Sequence, residues 1–158
     1  MAELAYALSI KQPWAALLLH GIKTIEVRSW PTARRGRILI HAAKQPARDA
    51  AIWKLVPRQL QAAAGVNGGL VGTCELTGCI VYPNKDAFEA DCPRHLNNPD
   101  WFQPPALYGF TIAQPELLPF RAYPGWVRFF PIQDDAPQRR KITAPTDAPT
   151  LFRELPDE

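Results

Sequence analysis

The sequence predicts a mixed α+β fold: a small β-barrel with a buried helix near its start and a helical insertion further on. Three observations carry that expectation. Six or seven short stretches read as strands, residues 13–20 are apolar nearly all round, and residues 47–64 have the pattern of a helix that Pro57 kinks or splits. At 158 residues the chain can close one core without metal or disulfide staples, and its 47% hydrophobic content is that of a soluble globular protein. Seventeen prolines favour short strands and loops over long helices.

Residues 5–10 form the first strand. Pro13 then opens a short helix at a position where a missing amide donor costs little, and Gly21 can take the left-handed conformation that ends it. Trp14, Ala15, Leu17, Leu18 and Leu19 leave this helix no polar face, so it should be buried and plug one end of the barrel. In residues 24–28, Ile25 and Val27 alternate with Thr24, Glu26 and Arg28, the period of a half-buried strand, which puts Glu26 and Arg28 on one face. Lys23 has the opposite parity, but it sits at the turn and can swing round. Residues 37–43 are strand-like on both faces, as in a central strand. Residues 70–81 make the longest strand, bulged or bent at Gly72 and Gly78. A short helix at 86–91 and a long aromatic and proline loop at 95–105 precede three more strands, at 107–112, 117–123 and 127–132. Residues 1–135 thus form one domain. Residues 136–158, with four prolines and the basic run Arg139, Arg140 and Lys141, read as an extended or disordered tail.

No apolar run approaches the roughly 18 residues of a membrane span, and Glu3 stands where a secretory signal would be basic, so a cytoplasmic location is expected. Three cysteines with no CxxC agree with a reducing compartment. The net charge of +3 hides an asymmetry: residues 1–60 carry +7 and residues 61–158 carry −4. Such a split suits a nucleic-acid or phosphate partner, although a solvated basic face would look the same.

The chemistry concentrates in the basic half. Lys23, Glu26 and Arg28 stand within six residues, flanked by Trp14 and Trp30 and followed by Arg34, Arg35 and Arg37. A lysine brings a compact ammonium whose pKa shifts on burial, an arginine a planar fork, and a carboxylate an acceptor for an exocyclic amine. Those are the tools for reading a nucleotide. Trp14 or Trp30 would supply a stacking surface, worth about 1–3 kcal/mol per base. Arg34, Arg35 and Arg37 would hold backbone phosphates and make binding fall with salt. A plainer arrangement also fits: a structural Glu26–Arg28 ion pair, Lys23 at the solvated rim, tryptophans in the core and Arg35-Gly36 as a turn. His41, inside an apolar run, reads as a hydrogen-bonded core histidine. Cys74, Cys79, Cys92 and His95 lack metal-ligand spacing, because positions 74 and 79 face opposite sides of a strand. No metal and no cofactor is expected.

The run from Ser9 to Ala43 resembles the ASCH domain, whose signature GxKxxExR is filled here by Gly21, Lys23, Glu26 and Arg28. QPWA at positions 12–15, RSW at 28–30 and Arg35-Gly36 match the transcriptional cointegrator type within that family, and LVGTCEL and ALYGF look like later strands of the same barrel. The resemblance implies a PUA-like fold over about 130 residues, with a cleft beside the signature strand that binds RNA or DNA, single-stranded or modified. Some bacterial ASCH proteins instead hydrolyse the amide of acetylated cytidine with a lysine and threonine pair and a later glutamate. Lys23 keeps that lysine, Glu26 stands in the threonine's place, and Glu89 is a candidate for the later carboxylate. Two function classes follow: a nucleic-acid reader, or a hydrolase of a nucleoside amide or phosphodiester with Lys23 and Glu26 as coupled base and acid. A protein-interaction barrel is a third.

Overall fold

The computed structural model describes residues 5–133. Six strands make one mixed sheet: β1 (Tyr6–Ile10), β2 (Ile25–Arg28), β3 (Gly36–Ala42), β4 (Gly69–Tyr82), β5 (Leu107–Ala122) and β6 (Phe129–Pro131). Their spatial order is β2-β5-β4-β3-β1-β6, with β1 and β3 parallel and the other neighbours antiparallel. The α+β class holds. The sheet, however, does not close into a barrel, since β2 and β6 remain edges. It curls until those edges meet through side chains: Trp30, just past β2, lies edge-on to Phe129 of β6 at 5.8 Å, and Phe110 of β5 lies parallel to Phe129 at 6.1 Å. Arg28 adds a hydrogen bond across the same seam, its Nη2 donating to the Ser9 carbonyl of β1 at 2.8 Å. The three-residue β6 pairs with Tyr6, Ala7 and Leu8 only, so it stops short of Ser9.

The early helix α1 (Trp14–Leu19) is buried at all six positions and contacts β3, β4 and β5. Pro13 sits at its N-cap, where no amide donor is required, and Gln12 Oε1 accepts from the Ala16 amide at 3.0 Å. At the other end Gly21 takes φ +80°, and the amides of Gly21, Ile22 and Lys23 fold back onto the carbonyls of Leu18 and Leu17. That left-handed turn aims the chain into β2. The main core packs Leu8, Ile10, Leu17, Leu18, Ile38, Ile40, Leu76 and Phe110 around α1.

The expected helical insertion is split at Pro57 into α2 (Ala50–Trp53) and, after a 3-10 turn at Arg58–Leu60, α3 (Gln61–Ala64). Strand β4 shifts register next to both Gly72 and Gly78. The strands expected at 107–112 and 117–123 are one sixteen-residue strand, β5. Pro115 and Pro119 fail to break it because both fall inside register shifts against β4, where no ladder bond asks for their missing amide. The short helix near 86–91 is α4 (Lys85–Ala90); a second one, α5 (Cys92–His95), follows it where only a connection was foreseen. The proline-rich tail at 136–158 lies outside the described residues.

His41 is a core histidine, 1% exposed. Its Nε2–H donates to the Tyr123 carbonyl at 2.7 Å, and its Nδ1 accepts from the Ser9 hydroxyl at 2.9 Å. Burial holds its pKa below the usual histidine value, with the Tyr123 carbonyl opposing the shift. Among the described residues no cluster of His, Cys, Asp and Glu has the makings of a metal site, and no helix is long and apolar enough to cross a membrane.

Candidate functional site

Antiparallel pairing with β5 sets Glu26 opposite Phe110 and Arg28 opposite Tyr108. Ile25 and Val27 pack into a separate apolar cluster with Tyr82, Phe88 and Leu107. Glu26 and Arg28 therefore share the other face, as the alternation implies, and they pair there: Glu26 Oε2 accepts from Arg28 Nε at 3.1 Å and lies 3.0 Å from Nη2. Lys23 does swing round. Its Nζ lies 3.6 Å from Glu26 Oε1, 4.4 Å from the centre of the Trp14 ring, and donates to the His95 carbonyl at 2.7 Å.

The carbonyl that receives Lys23 comes from α5, far along the chain. Leu96 ends that helix with φ +64°, leaving the Arg94 carbonyl to accept from the Thr24 amide at 2.9 Å and the His95 carbonyl to accept from Lys23. A helix C-terminus is a suitable seat for an ammonium. His95 is itself fixed as the neutral tautomer. The Asn97 amide donates to its Nδ1 at 3.0 Å, so Nε2 carries the proton and donates to the Phe88 carbonyl at 2.8 Å, while the ring stacks on Phe88 at 4.2 Å. Burial lowers the His95 pKa, against the Phe88 carbonyl and with a contribution from the Lys23 charge.

All three signature side chains are buried: Lys23 is 2%, Glu26 6% and Arg28 8% exposed. Lys23 is thus no solvated rim residue. Burial pulls its pKa down to about 8, with the Glu26 carboxylate opposing the shift and Arg28 adding to it. Between pH 8 and 10.5 the unfolded chain holds a proton that the folded one has released, so raising pH through that window favours the fold. Wild type should gain on the order of 3 kcal/mol over that window from this group. Lys23→Met should lack the gain. Urea titrations of both proteins at the two ends of the window measure it, and equal pH dependence would mean an ordinary lysine.

Polar capacity is left over. Two cations face one carboxylate, and Arg28 Nη1 donates to no described residue. Glu26 Oε1 has only the 3.6 Å contact with Lys23. Trp14 is 7% exposed, with the Lys23 ammonium over its ring, whereas Trp30 is half-buried. Arg28 lies 6.0 Å from the Trp30 ring centre.

The three arginines after Trp30 part company. Arg34 lies over Tyr6 and Phe129, at 4.0 and 5.1 Å from the ring centres. Arg35 turns its exposed guanidinium back onto the carbonyls of Thr32 and Arg34. Arg37 leaves in another direction, donating to the Gln114 carbonyl at 2.9 Å and meeting Glu116 at 4.0 Å on β5. Glu89 is exposed on α4. Three participants carry no local signal in the sequence: the His95 carbonyl, the Ser9 carbonyl, and Arg128, whose guanidinium lies 4.7 Å from the Trp30 ring centre.

The chain resembles known proteins at two levels. Over 42 residues the chain is 57% identical to activating signal cointegrator 1 of Homo sapiens and 55% identical to its Mus musculus counterpart. That stretch is 26% of this chain and only 7% of those relatives. The crystal structure of an ASCH protein from Zymomonas mobilis superposes with TM-score 0.58 and 12% identity, over 85% of this chain and 92% of that one. A Tyr-to-Phe variant of the same protein gives 0.58 and 12%, over 87% and 96%. At such identity the likeness concerns the fold, which is PUA-like. The ASCH domain profile itself matches residues 8–126, from the strand that carries Ser9, through the buried Lys23–Glu26–Arg28 cluster, to the loop beside His41, and the chain therefore belongs to the ASCH domain family.

Proposed function

We propose that this protein recognises nucleic acid, taking up a base or a strand end at the Glu26–Arg28 corner of the buried cluster. The observation that supports this most is a cluster of three largely buried charged side chains, two cations against one carboxylate, that keeps polar atoms no described residue satisfies. Removing each ion from water costs several kcal/mol, and a buried triad rarely repays that in stability. Arg28 uses its Nε and Nη2 on Glu26 and Ser9 and leaves Nη1 with no described partner, and Glu26 Oε1 has only its 3.6 Å ion-pair contact with Lys23. A guanidinium donor and a carboxylate acceptor are the groups that read the edge of a base. The ASCH family is associated with RNA binding, which favours RNA over DNA.

Anisotropy titrations with labelled single-stranded and duplex RNA and DNA, at a low and a moderate salt concentration, test the proposal. Wild type should bind, and Arg28→Lys, which removes the planar fork but keeps the charge, should weaken binding roughly tenfold, about 1.4 kcal/mol. If wild type captures none of the four at low salt, the proposal is wrong.

One observation favours a second reading. A lysine with pKa about 8 is poised for proton transfer near neutral pH, as a hydrolase of a nucleoside amide or phosphodiester would need. Incubation with acylated cytidines and with single-stranded RNA decides between them. Product release that Lys23→Met abolishes, with a pH profile inflecting near 8, would make the cluster catalytic.

A further inference from the structure

We infer that Arg34 and Arg128 form a clamp for the phosphodiester backbone of the strand whose base enters the cluster, an inference that rests on the nucleic-acid reading above. Both guanidiniums are held by rings rather than by acids. Arg34 lies over Tyr6 and Phe129, Arg128 lies over Trp30, and Trp30 and Phe129 touch edge-on, so the rings run continuously from one arginine to the other. A guanidinium attracted to a ring rather than to a carboxylate does not spend its N–H donors on an acid, and those donors are the groups that fit phosphate oxygens. Neither guanidinium donates to, or pairs with, another described residue, whereas Arg37, Lys85 and Arg94 each have a carboxylate. Trp30 joins the clamp to the cluster, because Arg28 lies near the same ring.

The way Arg128 is presented supports a ligand role. It has φ +59°, a left-handed conformation that costs a non-glycine residue about 1–2 kcal/mol. The loop that imposes it, residues 123–128, is anchored through the Tyr123 carbonyl to His41. Glycine would suit the backbone better, so the side chain is what the position gains. Exposed Trp126 and Val127 stand beside it.

The conformation supplies a test that separates fold from binding. Arg128→Gly should leave the thermal midpoint within about 2 °C of wild type, since relief of the left-handed strain offsets the added entropy of glycine. The same variant should lose roughly tenfold in affinity for labelled 12-mers of uridylate and of deoxythymidylate, and flatten the slope of log K against log salt by about 0.7. Arg34→Ala should do likewise, and Arg34→Lys should keep the slope while losing part of the affinity. Lys85→Ala serves as control. Unchanged slopes in both Arg34→Ala and Arg128→Gly, with wild type still binding, would overturn the clamp alone. Failure of wild type to bind either 12-mer would overturn clamp and nucleic-acid reading together. A labelled polyglutamate peptide bound as tightly, with the same arginine dependence, would reassign the surface to an acidic protein. Affinities for the RNA and DNA 12-mers that differ while sharing the slope would place discrimination in the cluster and the phosphates in the clamp, as inferred.

Discussion

Glu26→Gln should lower the thermal midpoint by roughly 10 °C, the largest loss expected from any single isosteric change in this protein. Among the described residues the carboxylate is the only anion paired with these two buried cations: Oε2 serves Arg28 and Oε1 faces Lys23. Removing one partner of a buried ion network leaves uncompensated charge and costs about 3–5 kcal/mol. In a chain of this length each kcal/mol moves the midpoint by about 2–4 °C. The deficit should also depend on pH. Without Glu26 the Lys23 pKa falls further below its wild-type value of about 8, so the variant sheds that proton earlier as pH rises and regains part of its stability sooner. Scanning calorimetry should therefore show a larger gap from wild type at pH 6 than at pH 9. A double variant, Glu26→Gln with Lys23→Met, should be more stable than the sum of its single changes predicts. Equal midpoints for wild type and Glu26→Gln would mean that the three charges are not energetically coupled.

Gly125→Ala should be nearly as damaging, for a reason of space rather than backbone conformation. A methyl group at Gly125 would come within 2.6 Å of His41 Cε1, 2.9 Å of Nδ1 and 3.2 Å of the Ser9 hydroxyl. The ring has no room to yield, since both nitrogens are spent on Ser9 and Tyr123. Either the loop at 123–128 moves off or the hydrogen bonds break, at about 1–3 kcal/mol for the overpacking and about 1 kcal/mol for each bond lost. Displacing the loop also displaces Arg128. Oligonucleotide affinity should then fall together with the midpoint, although no side chain facing the ligand has changed. A midpoint within 1 °C of wild type would show that the loop does not bear on His41.

What could be read from the sequence was whatever leaves a local trace. Alternation at Ile25 and Val27 gave the face shared by Glu26 and Arg28, Gly21 marked the turn that swings Lys23 toward them, and Gly72 and Gly78 marked the irregular points of β4. The partners of those side chains left none. Lys23 is held by the carbonyl of His95 and Arg28 by the carbonyl of Ser9, and a backbone carbonyl is the same at every residue type. Arg128 reaches Trp30 only because the sheet curls, so no spacing announces it. Arg34 and Arg37 look like one basic patch in the sequence, yet they part because the turn into β3 sends one toward β6 and the other toward β5. The prolines of β5 misled in the opposite sense, since a proline interrupts a strand only where its amide is wanted.

The seam between β2 and β6 has a mechanical meaning. In a fully hydrogen-bonded barrel the number and stagger of strands dictate the bore, and no single side chain can alter it. Here the last gap is spanned by the Trp30, Phe110 and Phe129 rings and one Arg28 bond, so its width is set by the volume of three side chains. A smaller or larger ring at position 30 or 129 would narrow or widen the spacing of the seam beside the Glu26–Arg28 pair and leave every ladder bond in place. The spacing of that seam and the scaffold that carries it are thereby separately adjustable.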